Sequence, residues 1–295
     1  MRGFIASAIS GARLFAATVF VFATIDLATI ATAEPAQADL NNPNVVFDYY
    51  EPRSPDFAPL YAKLQGRGVL EELSRFLAPI RWPKKVRLLM KECPPSGIPK
   101  PEVFYSSLEY SITICYQWLS FLGTFTPPAT FATRQEVIVG GLVGVVLNAA
   151  GHAAFDMLNV PRLGADEDAA DQIASYVALQ FGPNVARTVI KGTYYVWDTY
   201  EYYARANNVA FNIGGSSSVF PQRKYNILCI AYGGDKNSFQ DFVDTGLLPR
   251  SRADRCTDEY AQVSYAFAQT VLPSVDTALL KKVQSMQWLA PEDLQ

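Results

Sequence analysis

The chain's one histidine, His152, closes the segment Asn148-Ala149-Ala150-Gly151-His152, and an acidic run, Glu167-Asp168-Ala169-Ala170-Asp171, follows soon after. An imidazole near several carboxylates is a donor set that a transition metal can use. The strongest arrangement of this kind is H-E-x-x-H. Two imidazoles four residues apart share one helix face and grip zinc, while the glutamate between them serves as general base. Here Asn148 stands at the first imidazole position and Ala149 at the base position. The segment keeps part of a metal site and lacks most of its chemistry.

A catalytic zinc site needs about three protein ligands and an open position for water. One imidazole rules out a His-His-Glu set within one chain. Asn148 offers an amide oxygen from the right helix face, but a neutral amide is a poor zinc ligand. His152 and a nearby acid, with Asn148 as a weak third donor, are therefore expected to hold zinc weakly or not at all. Ala149 has no proton to exchange, which removes a factor of about 10²–10⁴ in general acid–base catalysis. The blander expectation for His152 is a core histidine hydrogen-bonded to Glu167 or Asp171. For Asp166 to Asp168 it is a solvated helix start, where acids suit the dipole. No Cys-x-x-Cys spacing, Gly-x-Ser-x-Gly elbow or phosphate-cradling glycine pattern is present, and the Gly214 to Ser218 loop has no lysine at the required spacing.

The elements that must position these residues follow from the pattern. Of 295 residues, 49% are hydrophobic and 18% charged, enough for one sizeable core. Net charge is -3, which argues against a nucleic-acid surface. Arg2, Arg13, the apolar run Leu14 to Thr24 and small-x-small sites at Ala31-Thr32-Ala33 and Ala36-Gln37-Ala38 read as an export signal. The expected division is a leader over residues 1–33, cleaved as late as 38, and a single domain over 34–295. A membrane is a partner only if the leader is retained. Cys93, Cys115, Cys229 and Cys256 suit the oxidising periplasm or exterior; they allow three connectivities, of which neighbour pairing closes two loops of similar length.

Asn44 to Tyr49, Val86 to Met90, Val103 to Tyr105 and Ser111 to Cys115 read as extended, giving a small disulfide-stapled sheet. Helical spacing recurs over Phe57 to Leu64, Val69 to Leu77 and Tyr116 to Leu122. It returns over about 133–158, 166–181 and 183–206, then over 222–232, 238–244 and 254–272. Ile138 to Leu147 carries no charge and includes Gly140, Gly141 and Gly144, the pattern of a core helix wrapped on all sides. The aromatics of 194–203 at helical spacing are expected to fill the core.

The order of these motifs resembles a family of bacterial secreted zinc metallopeptidases with a gluzincin-like site, whose pattern runs H-E-x-G-H-A and then E-D-A-A-D-Q. The matching stretches are Gly151-His152-Ala153, Pro161-Arg162-Leu163-Gly164 and Glu167 to Gln172. Pro59-Leu60-Tyr61, Ile114-Cys115-Tyr116, Gln222-Arg223, Tyr225 to Cys229 and Tyr232-Gly233 match as well, and so do the cysteines. The resemblance implies an α+β, mostly helical, zincin-like fold. It implies that His152 and Glu167 are ligand positions and that Asp171 is the acid orienting a ligand histidine. Against it, Asn148 and Ala149 replace a histidine and a glutamate, Gln117 stands for a usual glutamate, and the loop before Gln222 lacks a histidine. The expectation is an exported family member that is catalytically impaired or inactive and acts as a binding or regulatory paralogue, taking peptide or a cell-envelope component. The alternatives are an active metal-dependent peptidase with a non-standard site, and a structural envelope protein.

Overall fold

In the computed structural model, residues 42–94, 103–162, 164–209 and 218–288 are described. The expected leader and the glycine-serine stretch 214–217 lie outside them. Strands β1 (Val45–Tyr49), β2 (Val86–Lys91), β3 (Val103–Ser106) and β4 (Ser111–Cys115) form one sheet in the order β1-β2-β4-β3. The first three in that order run parallel, and β3 is antiparallel to β4. Every residue of β4 is buried, as a strand with neighbours on both edges and cover on its faces must be. The expected strands are all present; their order and direction were not legible in the pattern.

The helices are α1 (Ala58–Gly66), α2 (Val69–Leu77), α3 (Tyr116–Leu122), α4 (Arg134–Met157), α5 (Asp166–Leu179), α6 (Pro183–Ala206), α7 (Phe220–Gly234), α8 (Lys236–Asp244), α9 (Arg250–Ala253), α10 (Cys256–Thr270) and α11 (Thr277–Gln284). α9 and α11 add to the helices read from the sequence. α11 begins where Asp276 accepts from the backbone amides of Ala278 and Leu279, a cap that orders a helix with one buried residue, Val283.

The central element is α4. A capping box starts it: Thr133 Oγ1 accepts from the Glu136 amide, and Glu136 Oε2 accepts from the Thr133 amide at 2.7 Å. Its apolar stretch is surrounded by protein, as the chargeless pattern implied. Against α6 the two backbones nearly touch. A Cβ on Gly140 would lie 1.9 Å from the Thr188 carbonyl oxygen, and one on Gly192 would lie 2.3 Å from the Gly141 nitrogen. These glycines lower intrinsic helix propensity and are compensated by close helix packing. α5 approaches the other end of α4 through Gly151, whose hypothetical Cβ would be 3.1 Å from Ala170 Cα. Gly151, just before His152, and Ala170 of α5 thus form a close contact between two helices of the site.

Both neighbour disulfides are formed. Cys93–Cys115 has Cα atoms 5.5 Å apart and staples the sheet; Cys229–Cys256, at 4.9 Å, ties α7 to α10. Gln117 brackets the first. Its Oε1 accepts from the Cys93 amide at 3.0 Å and its Nε2 donates to the Cys93 carbonyl at 2.9 Å. A glutamate could not make the second bond as a carboxylate, which accounts for the amide at this position. Arg252 covers the second, reaching Glu259 at 2.7 Å and Cys229 Sγ at 2.7 Å. Of the aromatic α6 residues, Trp197 and Tyr200 are buried as expected, whereas Tyr202 is exposed.

Candidate functional site

Three helices bring the sequence's candidate residues together. α4 supplies Asn148 and His152, one turn apart on the same face; α5 supplies Glu167, Asp168 and Asp171; α7 supplies Arg223 and Asn226. His152 Nε2 lies 3.3 Å from Glu167 Oε1. Arg223 Nη2 lies 3.1 Å from Glu167 Oε2. The same guanidinium grips Asp171, with Nε to Oδ2 at 2.6 Å and Nη2 to Oδ1 at 2.9 Å. Asn148 Nδ2 donates to Asp171 Oδ1 at 2.7 Å. Beneath the guanidinium, the Trp197 ring centre lies 3.8 Å from Arg223 Cζ. That face-on contact suits a weakly hydrated planar cation. At the rim, Ser218 Oγ donates to Asp168, and Asn226 Nδ2 approaches its other oxygen at 3.4 Å.

Charge follows from this geometry. Asp171 is 1% exposed. Burial pushes its carboxyl up from the ordinary value, against the pull of the Arg223 guanidinium and the Asn148 amide. The N–H donors converging on its oxygens fit a carboxylate, so Asp171 and Arg223 form a buried, bidentate ion pair. Glu167 is more open. Burial pushes it up too, but the His152 ring, the Arg223 guanidinium and the Asn148 amide outweigh that and hold it down at about 2.

This gives an acid-stability prediction. A carboxylate with a depressed folded pKa contributes stability that is complete above the unfolded value of about 4.3 and is lost as pH falls towards 2, a contribution on the order of 2–3 kcal/mol. Glu167→Gln should therefore be less stable than the parent at pH 7, and the difference should shrink as pH drops through 4 to 2. Urea midpoints measured across that range check it; a difference independent of pH would refute the charge assignment.

The fit to a divalent metal can be judged on the donors themselves. Asn148 turns an N–H, not a lone pair, toward the acids. Glu167 has one oxygen on the imidazole and the other on a guanidinium. Ala149 is buried at 1% exposure, with no group that exchanges protons. Among the described residues no cluster of three or more His, Cys, Asp or Glu side chains could hold a metal ion. The residues present do not fit a catalytic zinc centre. Asp171, expected to orient a ligand histidine, instead receives the Asn148 amide, which reproduces the ring N–H that such a histidine would give.

Arg223 is the residue that local reading undervalued. It stood in the sequence only as half of the Gln222-Arg223 stretch, and nothing near position 223 announces a partner 52 residues earlier.

The fold is α+β, and its site gathers acids, an imidazole, an amide and a guanidinium on three adjoining helices. A family profile described as “Putative metallopeptidase” matches residues 49–271, and the chain belongs to that family. No curated protein and no solved structure matches it.

Proposed function

We propose that this chain is an exported member of the metallopeptidase family that no longer cleaves peptides and works by binding, as a regulatory or scaffolding paralogue whose ligand is a peptide or a cell-envelope component. The observation that carries the reading is the Asn148–Asp171 bond: the helix position of a first imidazole ligand is occupied by an amide whose nitrogen is spent on the neighbouring acid, in place of a strong imidazole donor. Ala149 removes the proton carrier independently. On this reading the scaffold is gluzincin-like, with α4 as the motif helix and α5 carrying the third-ligand position Glu167. Arg2, Arg13 and the apolar run Leu14 to Thr24, with the two disulfides, support export to an oxidising compartment.

Metal analysis of the purified protein, paired with cleavage assays on a mixed peptide library, tests it. The expected result is zinc well below stoichiometry and no turnover. Stoichiometric zinc together with turnover abolished by His152→Ala would overturn the proposal in favour of a working peptidase with an unusual metal site.

A further inference from the structure

At one end of the sheet order, β1 is an edge strand. Its one partner among the described residues is β2, to which it runs parallel. In a parallel pair each residue that bonds its neighbour presents both backbone groups to it, and the alternate residues present theirs outward. Asn44 accepts from the Val86 amide and the Tyr50 amide donates to Met90, so the even-numbered residues face β2. The amide and carbonyl of Phe47 and Tyr49 therefore point away from the sheet. An open row of this kind is a template for another extended chain.

The edge is not bare. α2 lies alongside, and between them runs a groove of about 470 Å³ lined by Val45, Phe47, Glu71, Ser74, Arg75 and Ala78. Its two charged residues differ in availability. Glu71 is engaged, accepting from the Tyr49 hydroxyl at 2.7 Å, and the same hydroxyl accepts from the Leu70 amide at 2.6 Å. This bond pins the start of α2 to β1 and holds the groove's width. Arg75, half-buried on the next turn, makes no hydrogen bond or ion pair with any described residue. A guanidinium facing a groove beside an open strand edge is the complement of a carboxylate on an extended chain.

We propose that the β1–α2 groove binds an extended, acidic peptide segment of a partner protein, which adds as a strand to β1 and places a carboxylate on Arg75. Main-chain bonds to Phe47 and Tyr49 give affinity, the apolar floor of Val45 and Ala78 takes alternate side chains, and Arg75 selects for charge. This site is separate from the α4–α5–α7 cluster and does not depend on whether that cluster is active.

The test uses the purified protein and a fluorescent hexapeptide of β-branched residues with one glutamate. Three controls accompany it: the glutamine version, a version N-methylated at alternate backbone positions, and the variant Arg75→Glu. Binding by anisotropy should weaken at least about tenfold in each control, because each removes one charge-assisted or backbone contact set. Hydrogen exchange at the Phe47 and Tyr49 amides should slow when the glutamate peptide is added. Circular dichroism of Arg75→Glu should match the parent, since Arg75 makes no hydrogen bond or ion pair with a described residue. Binding indifferent to the charge or to N-methylation would overturn the proposal. Full protection of both amides in the free monomer would overturn it by assigning the groove to the chain's own segment, and a concentration-dependent dimer that protects them would assign it to a second copy.

Discussion

Arg223→Met is expected to lower folding stability by about 3–5 kcal/mol, the usual cost of removing one partner from a buried ion pair. The guanidinium holds Asp171 by two short bonds, reaches Glu167 and lies on Trp197, so its loss leaves Asp171 charged, buried and supported by Asn148 alone. In a protein of this size such a loss corresponds to a fall of about 10 °C in melting temperature. The charge mechanism has its own signature. Removing the charge as well, in Arg223→Met with Asp171→Asn, should cost much less than the two single changes summed, because the single changes each strand a group that the double change does not. Lowering the pH should likewise narrow the gap between Arg223→Met and the parent, as Asp171 takes up a proton. Chemical denaturation of the four proteins at pH 7 and pH 4.5 decides it. A single change that costs under about 1 kcal/mol would mean the pair contributes little beyond packing.

Asn148→His is the second large effect, and it acts on affinity. An imidazole at this position can give its ring N–H to Asp171 where the amide now gives its own, leaving the other nitrogen free beside His152 and Glu167. Regaining one good ligand should return several of the roughly 10 or more kcal/mol of tight zinc binding, so zinc should bind at least about 100-fold more tightly than to the parent. Visible absorption of added cobalt reports coordination without any reliance on turnover. Adding Ala149→Glu is expected to lower stability, because Ala149 is enclosed and a carboxylate there begins without a partner. If well-folded Asn148→His shows no gain in affinity, the three helices have moved beyond ligand distance, and the metallopeptidase geometry proposed for the cluster falls.

The proposed non-catalytic role and the groove on β1 fit together without depending on one another. The sheet edge exists whatever the acid cluster holds, and the edge beside Arg75 offers chemistry that an extended acidic chain can satisfy. Failure of peptide binding at Arg75 would leave the reading of the acid cluster intact. Stoichiometric zinc with turnover would leave the groove intact.

Much of this architecture is written locally. The capped start and chargeless body of α4, its run of glycines, the short β-favouring runs that make strands of Val86 to Met90 and Ser111 to Cys115, and the acids opening α5 all depend on near neighbours in the chain. That Asn148 and His152 share one face of α4, and Glu167 and Asp171 one face of α5, was legible for the same reason: helical spacing puts residues four apart on one side. What tertiary structure decided is which partner each buried charge takes. Asp171 meets Arg223 across 52 residues and Asn148 across 23, and no local pattern encodes such pairs. The order and direction of the strands and the pairing of β1 with β2, as in Val45 with Val86, are of the same kind. Periodicity shows which side of an element seeks the core, while desolvation and charge compensation act only once distant elements meet.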